Sequence, residues 1–383
     1  MAFNTNLMSR EASNRSVNES FGSILSCSQY RDISRDSTVV ITIKITVYAV
    51  AFVLAIIGNA TVLAIVFRRS SFKTTTNFFI ANLAISDIIM AVICMPTSMF
   101  SIAAKNISHS LLQGIAGILI CKMLPFLQGL AIAVSILTMF TLAADRFLAI
   151  VFPFRKIITK RRAKALIGGL WVLGVIFNAP LLYAMKLHED GEVRLCYEDW
   201  EPHFDDDRAS KDYTIVLFVF LYAIPLVLVI VFYSALLREL WRGKHLHHNK
   251  TVACKENQAV LRMIVTVIVT FAVCWLPVHV TVFIVLFTDD QLIKRCGLSP
   301  ILVFIGWFMG HVNSALNPII YFIYNENFRN EFFKLLQGVM RAILRKKPTI
   351  EERPSLLKTR FTYYKTSSLY NALKRNSRLD ESV

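Results

Sequence analysis

Four charged or amide side chains lie inside or at the edge of long apolar stretches: Asp87, Gln128, and the neighbouring pair Asp145 and Arg146. A charged group within lipid is costly unless it has a partner, so such residues mark places where ions or ligands bind or where conformation switches. We find no hydrolase or metal-binding pattern, and the histidines of one basic loop are expected to be solvated: His245, His247 and His248. The sequence therefore favours binding and switching over covalent catalysis, and we expect no enzymatic activity.

The composition is typical of a membrane protein. Of the 383 residues, 55% are hydrophobic, and the mean hydropathy of +0.51 is too apolar for a soluble globular protein. The formal charge of +16 comes from lysines and arginines in short runs between apolar segments. Cytoplasmic loops of membrane proteins carry such runs, so we do not expect a nucleic-acid partner.

Seven apolar segments are each long enough to cross a ~30 Å hydrocarbon core as a helix. They cover residues 39–67, 76–104, 118–151, 163–185, 213–240, 259–287 and 298–324. Only helices and closed barrels satisfy the backbone in lipid, and segments of this length are helices. The predicted fold is an all-α membrane protein, with a seven-transmembrane helix bundle over residues 39–324.

Lysines and arginines predict the orientation of this bundle. The loops after the first, third and fifth segments are basic and should lie in the cytoplasm. The N-terminal tail, residues 1–38, is then extracellular, and glycosylation is expected at the outer sequons Asn14, Asn18 and Asn106. The sequon at Asn249 falls inside and should stay unmodified. A multi-pass protein of this topology is expected in the plasma membrane.

The region after the seventh segment has two parts. In residues 325–345 apolar side chains repeat at helical spacing, as shown by Phe328, Phe332, Leu335 and Leu336. This pattern predicts a short amphipathic helix on the inner membrane surface. Residues 346–383 are polar, basic and rich in Ser and Thr, and we expect a disordered cytoplasmic tail.

The outer side carries the cysteines that should be oxidised. Cys121 opens the third segment and Cys196 lies in the loop of about residues 186–212, so a bridge would tie this loop to the third helix. Cys27 with Cys296 is a candidate for a second bridge. The same loop is rich in Asp and Glu, which form either a solvated surface or a field that attracts a cationic ligand.

Together these features resemble the rhodopsin-like (class A) family of G-protein-coupled receptors. The motifs that carry the resemblance are, in order, Asn59, Asp87, Asp145-Arg146-Phe147, Trp171, Pro225, Cys274-Trp275-Leu276-Pro277 and Asn317-Pro318-Ile319-Ile320-Tyr321. The resemblance covers about residues 39–340. Within the family, the stretch from Cys121 to Thr138 is similar to receptors for neuropeptide Y, orexin and RFamide-type peptides.

The resemblance implies a polar network around Asp87. Its expected members are Asn59, Asp87, Ser135, Asn313 and Asn317. In the family such a set holds a sodium ion, and the alternative is a water-filled hydrogen-bond network. Apart from this structural sodium ion, no cofactor or metal is expected.

The resemblance also implies an activation switch made of Asp145, Arg146, Tyr233, Trp275, Pro277, Pro318 and Tyr321. Prolines within helices remove a hydrogen bond and provide hinges. The sequence departs from the family pattern twice: Phe147 replaces a tyrosine, and Asn257 stands where many relatives have an acid that holds the arginine. Glu256 is an alternative partner, and the basal activity stays open.

The ligand pocket is expected between the outer halves of helices three, five, six and seven. Its candidate residues are Gln128, Trp275, His279, Trp307 and His311, with Thr97 and Gln113 as weaker ones. The amide of Gln128 matches a neutral carboxamide, although Gln128 could instead pair with His311 alone. With the acidic loop and the aromatic lining, this predicts a short, amidated, cationic neuropeptide with an aromatic last residue.

Other receptor classes are less well supported. A photoreceptor needs a lysine in the seventh segment, which has none, and an amine receptor needs an acid where Gln128 stands. The alternative is a class A receptor for a non-peptide small molecule, amine-like or lipid, or an orphan receptor with high basal activity. The expected partners are an extracellular peptide, a heterotrimeric G protein, arrestin and receptor kinases at the Ser/Thr-rich tail, and the lipid bilayer.

Overall fold

The computed structural model describes residues 36–103, 114–152, 157–190, 193–244, 252–288 and 300–343. Several predictions fall outside these residues and stay predictions. They concern the second bridge, the sequons, one pocket candidate and the disordered tail: Cys27, Cys296, Asn14, Asn18, Asn106, Asn249, Gln113 and residues 346–383.

Helices account for most of the described chain. Their bounds are α1 Thr38–Arg68, α2 Thr75–Ala103, α3 Gly114–Val151, α4 Lys160–Asn178, α6 Val252–Phe287, α7 Pro300–Tyr324 and α8 Glu326–Ile343. Helix α5 runs through three consecutive stretches: Asp206–Phe218, a π-helical turn Val219–Ala223, and Ile224–Lys244. A short 3₁₀ turn, Ser70–Phe72, precedes α2, and a short helix, Pro180–Ala184, follows α4.

These helices confirm the predicted seven-transmembrane bundle with a further helix after it. Several boundaries differ from the predicted segments, and two of the differences have a physical cause in the structure. Helix α4 ends at Asn178, and Pro180 starts the separate short helix, because a proline cannot donate the backbone hydrogen bond that continues a helix. Helix α5 starts earlier than expected because Asp205 caps it, accepting a hydrogen bond from the Arg208 N–H at 2.9 Å.

Six of the described helices, α1 to α6, are long and apolar enough to cross a membrane by length and composition. Helix α7 is not in this set, because it contains several polar residues. Those at His311, Asn313 and Asn317 are each at most 3% exposed. The polar groups of α7 are therefore turned to the protein interior, where they belong to the candidate site.

Close packing brings α1 against the proline of α7. A Cβ atom added at Gly58 would lie 2.8 Å from the Cβ of Pro318, so only glycine allows this approach. The same residue type lets α4 approach α3 at Gly174, where a Cβ would meet Leu130 Cδ1 at 2.8 Å. The two glycines therefore allow α1 to pack closely against α7, and α4 against α3.

The described chain up to Arg329 belongs to one compact unit, and the chain from Asn330 onward forms a second unit. The first turn of α8 lies in the first unit. There the Phe328 ring packs edge-on against Phe72, with centroids 5.0 Å apart. In the second unit, α8 carries exposed apolar side chains, including Leu336 and Met340.

A β-hairpin that was not predicted connects α4 to α5. Strand β1, Met185–Asp190, pairs antiparallel with β2, Val193–Glu198, and Leu187 lies opposite Cys196. The predicted bridge between Cys121 and Cys196 is confirmed, with Cα atoms 5.6 Å apart. We call the end of the bundle that carries this bridge the hairpin end, and the opposite end the Arg146 end.

Candidate functional site

Gln128 lies on α3 about two helical turns from Cys121, at roughly 1.5 Å per residue. Its side chain is half-buried and makes no hydrogen bond within the described part of the chain. A glutamine amide offers two donor hydrogens and one acceptor oxygen, so all of this capacity is available to a ligand.

His311 on α7 does not take up that capacity. Its Nδ1 shares a hydrogen bond of 3.1 Å with the Tyr48 hydroxyl of α1, and its Nε2 is buried without a partner. The Trp307 ring lies 5.9 Å from the His311 ring. The alternative in which Gln128 is satisfied by His311 alone is thus not formed. Sequence reasoning missed Tyr48, which lies 263 positions away from its partner.

His279 on α6 lies in an aromatic cluster that joins α5 to α6. Its ring is 4.3 Å from Tyr222 and 5.1 Å from Phe218, which also contacts Phe283. The Tyr222 hydroxyl donates to the carbonyl of Ala272, 2.9 Å away. Sequence reasoning missed Phe218 and Tyr222. Their nearness to Pro225 was the available signal, because the π-helical turn beside them ends at Ala223, two residues before this proline.

Trp275 lies deeper on α6, one turn from His279, and is 4% exposed. Its indole Nε1–H has no hydrogen-bond partner, and its ring is 5.9 Å from Phe271. Gly310 of α7 passes directly beside it, since a Cβ there would lie 3.4 Å from the indole ring. The Trp275 ring therefore packs against α7, and a shift of α7 or of the α6 segment around Pro277 would change its contacts.

The polar network forms around Asp87, which is 1% exposed. The Asn317 Nδ2 donates to Asp87 Oδ2 at 2.8 Å. The Asn59 Nδ2 donates to the carbonyls of Ala55 and Ser314, both at 2.9 Å. These bonds join α1, α2 and α7 through three of the residues that the resemblance implies: Asn59, Asp87 and Asn317.

Three buried amide oxygens on α1 and α7 have no hydrogen-bond donor among the described residues. They belong to Asn59, Asn313 and Asn317. Ser135 is bonded to Ser86, with their hydroxyls 2.8 Å apart, and not to Asp87. A carboxylate together with unpaired amide oxygens is the ligand chemistry that a hard cation requires, so these residues fit a sodium ion.

Asn82 connects three helices beside this network. Its Nδ2 donates to Thr138 Oγ1 at 2.8 Å, and its Oδ1 accepts from the Trp171 indole N–H at 2.9 Å. This explains the tryptophan in α4, which sequence analysis identified only through the family resemblance. Asn82 and Thr138 were missed, because a single polar residue at a helix surface does not reveal its partner.

At the Arg146 end the arginine is held by its neighbour. Asp145 Oδ2 accepts from Arg146 Nε at 3.0 Å and from Nη2 at 2.5 Å, and Thr76 Oγ1 donates to the same oxygen at 3.4 Å. The hydroxyls of Tyr233 and Tyr321 are buried without a partner. The side chains of Asn257 and Glu256 lie outside the described residues, so the departure at α6 stays untested.

Phe147 makes a contact that a tyrosine ring would also allow. Its ring stacks on Phe232 of α5, with centroids 5.1 Å apart and planes at 19°. The Phe140 ring also stacks on Phe232, with centroids 5.8 Å apart. The departure from tyrosine therefore removes a hydroxyl and keeps the aromatic packing between α3 and α5.

Comparison with known proteins agrees with this geometry. Residues 58–321 match the sequence model of the family described as 7 transmembrane receptor (rhodopsin family). The matched span contains both ends of the polar network, from Asn59 to Asn317, and the Asp145-Arg146 pair.

Individual relatives share about a third of their residues with this chain over most of its length. A pyroglutamylated RF-amide peptide receptor of Mus musculus is 33% identical over 332 residues, which cover 80% of this chain and 72% of the relative. A neuropeptide FF receptor 2 of Mus musculus is 31% identical over 351 residues, covering 86% and 80%. A galanin receptor type 2 of Rattus norvegicus is 30% identical over 301 residues, covering 78% and 77%.

Proposed function

The chain belongs to the rhodopsin family of seven-transmembrane receptors, and from this premise we propose that it is a cell-surface receptor for a short amidated neuropeptide of the RF-amide type. Peptide binding at the hairpin end favours a conformation whose Arg146 end accepts a heterotrimeric G protein. Like its family, it is a receptor and not an enzyme, and it is a multi-pass protein of the plasma membrane.

The peptide class is supported by the relatives, which are named as receptors for RF-amide, neuropeptide FF and galanin peptides. The observation that supports an amidated C-terminus concerns Gln128. It is a half-buried carboxamide without a partner among the residues that the structure describes, in a helix that is otherwise apolar on this stretch. A C-terminal amide can exchange a pair of hydrogen bonds with it, whereas a free carboxylate can only accept.

The remaining parts of this function are also proposals. The N-terminus lies outside the cell and is glycosylated at Asn14, Asn18 and Asn106. Helix α8 rests on the inner membrane surface through apolar side chains such as Leu336 and Met340. Arrestin and receptor kinases act on the Ser/Thr-rich tail, residues 346–383.

The first test compares an Arg-Phe-amide peptide with its free-acid form on wild type and on Gln128→Leu. If Gln128 reads the amide, wild type should prefer the amide by about 1–3 kcal/mol, the cost of a buried polar group left unpaired. The variant should lose most of this preference, measured as the ratio of binding constants. Thr266→Val is a control outside the pocket candidates, because the Thr266 hydroxyl already donates to the Arg262 carbonyl of its own helix at 2.9 Å. An undiminished preference in Gln128→Leu would place amide recognition elsewhere.

A second test concerns the cation beside Asp87. Asp87, Asn313 and Asn317 would hold a sodium ion, which supplies positive charge to their oxygens and stabilises the resting conformation. Adding sodium should lower agonist affinity in wild type, and Asp87→Asn should remove that effect. Potassium at equal ionic strength is the control in both receptors. A sodium effect that persists in Asp87→Asn would contradict the proposal.

A further inference from the structure

We propose that Glu198 is the residue that pairs with the cationic group of the peptide, and that Trp200 positions its carboxylate. This inference rests on the proposed function and specifies its charge recognition. Neither residue was among the pocket candidates from the sequence.

Glu198 lies on the face of the hairpin that packs against the bundle. Directly opposed residues of an antiparallel pair share a face, and Glu198 lies opposite Met185. Met185 is buried together with Cys121 of α3, and Cys196, two residues before Glu198, is packed against the same cluster. Because side chains alternate along a strand, Glu198 projects to the same side as Cys196.

The other face of the hairpin holds a separate polar set. Lys186 and His188 both pair with Asp199, at 3.3 and 3.1 Å, and the His188 ring stacks on Tyr197 at 4.1 Å. Lys186 and His188 alternate with Met185 and Leu187 along β1, so they project away from the bundle. Lys186 and His188 therefore contact Asp199 and do not pair with Glu198.

The carboxylate of Glu198 is half-buried and lacks a counter-ion. Its Oε1 accepts one hydrogen bond, from the Trp200 indole N–H at 2.8 Å. No Lys or Arg of the described residues forms an ion pair with it, and its second oxygen accepts no hydrogen bond from them. A partly desolvated carboxylate in this state favours a charged donor from outside the protein.

Four of the described acids that follow Glu198 already have structural partners. Asp199 also accepts from the Glu201 N–H at 3.0 Å, and Asp206 accepts from the Trp200 N–H at 2.8 Å. Asp205 caps α5, and Asp207 pairs with Lys211 at 2.6 Å. These four carboxylates stabilise the loop and the start of α5. Glu198 differs from them, because it faces the bundle and one of its oxygens accepts no hydrogen bond from the described residues.

Trp200 is built to hold that carboxylate in place. It is 7% exposed, its backbone is fixed by Asp206, and its ring lies 5.4 Å from Tyr213 of α5. A guanidinium could then approach the free oxygen of Glu198 without displacing the indole. An arginine fits this arrangement better than a lysine, because its planar fork can also lie against an aromatic ring.

The test measures binding of a synthetic Arg-Phe-amide peptide and of its citrulline analogue, in which the guanidinium is replaced by a neutral urea of the same shape. On wild type, citrulline should lower the affinity about 10- to 100-fold, the range of a charge-assisted hydrogen bond. On Glu198→Gln, the same exchange should change the affinity less than about threefold, since the charge it pairs with is gone. Glutamine keeps an oxygen that accepts from Trp200, so the variant should fold.

Glu201→Gln is the matched control, because it removes the same charge from an exposed position three residues away. It should retain the full discrimination between arginine and citrulline. Equal losses in both variants would mean that the loop acts only through its long-range field, and would overturn the pairing. Full discrimination in Glu198→Gln, or equal affinity of the two peptides for wild type, would overturn it as well.

Trp200→Phe separates positioning from packing. It keeps an aromatic ring and removes the N–H that holds Glu198, so the ratio of the affinities of the two peptides should fall. A packing role alone would weaken the binding of both peptides equally.

The outcomes also separate the two proposals. No binding of either peptide to wild type would reject the RF-amide class together with this pairing. If the peptides bind but the preference for arginine over citrulline does not depend on Glu198, the pairing alone is rejected.

Discussion

Arg146→Ala is expected to abolish G-protein signalling while the receptor still reaches the surface and binds its peptide. In the structure Arg146 is engaged only with its neighbour Asp145 among the described residues, and its side chain is 19% exposed. Activation requires it to leave that partner. The hydroxyls of Tyr233 and Tyr321 are buried without a partner among the described residues, and we expect them to offer new ones when the helices separate. Without the guanidinium neither arrangement exists, so we expect at least a tenfold loss of the maximal response, or more than about 1.4 kcal/mol of coupling free energy.

The matched control is Arg208→Ala, which removes a guanidinium at the hairpin end that is 84% exposed. It should signal normally. Peptide binding and G-protein activation are measured on the same cells at equal surface expression. Full signalling by Arg146→Ala would show that the Asp145-Arg146 pair is a structural anchor and not part of the switch.

Breaking the Cys121–Cys196 bridge is expected to have the second large effect. The bridge joins two cysteines with a sequence separation of 75. A disulfide that closes a loop of this size stabilises the folded state by about 4 kcal/mol, because it restricts the unfolded chain. It also anchors the hairpin on which Glu198 stands. Cys121→Ser or Cys196→Ser should therefore abolish peptide binding, or surface expression where the hairpin is needed for folding.

The double variant Cys121→Ser/Cys196→Ser should be no worse than either single one, because both remove the same bond. Cys274→Ser is the control for loss of a thiol that is free and buried. Surface labelling and saturation binding separate a folding defect from a binding defect. Normal binding by either single variant would mean that the bridge is dispensable for the site.

Much of the fold could be predicted from hydropathy alone, because lipid leaves few options for a long apolar segment. Helix α7 shows the limit of that signal. Its buried polar residues lower its apolar character, although they are what ties it to Asp87 and Tyr48. The apolar segment 298–324 was nevertheless long enough to predict this helix, and the motif at Asn317 and Pro318 supported its place in the bundle.

Site residues could be predicted where the residue type alone indicates a function. Hydrogen-bond partners that depend on how the helices pack could not. Asp87 and Gln128 stand out because polar groups are rare within apolar segments. The bond between Tyr48 and His311 depends on how α1 packs against α7, and nothing in either local sequence announces it. The hairpin was missed for a related reason, because its strands are short and charged, and the bridge to Cys121 holds them in place.

The π-helical turn of α5 has a consequence for comparing this receptor with its relatives. A π turn contains one residue more than an α turn, so everything before Val219 is displaced by one position relative to a regular helix counted back from Pro225. One position corresponds to about 100° around the axis. An alignment without a gap would therefore assign ligand contacts to the wrong side of α5 wherever a relative lacks the turn. For the same reason, deleting a single residue between Val219 and Ala223 would rotate Phe218 away from His279 without changing the chemistry of either side chain.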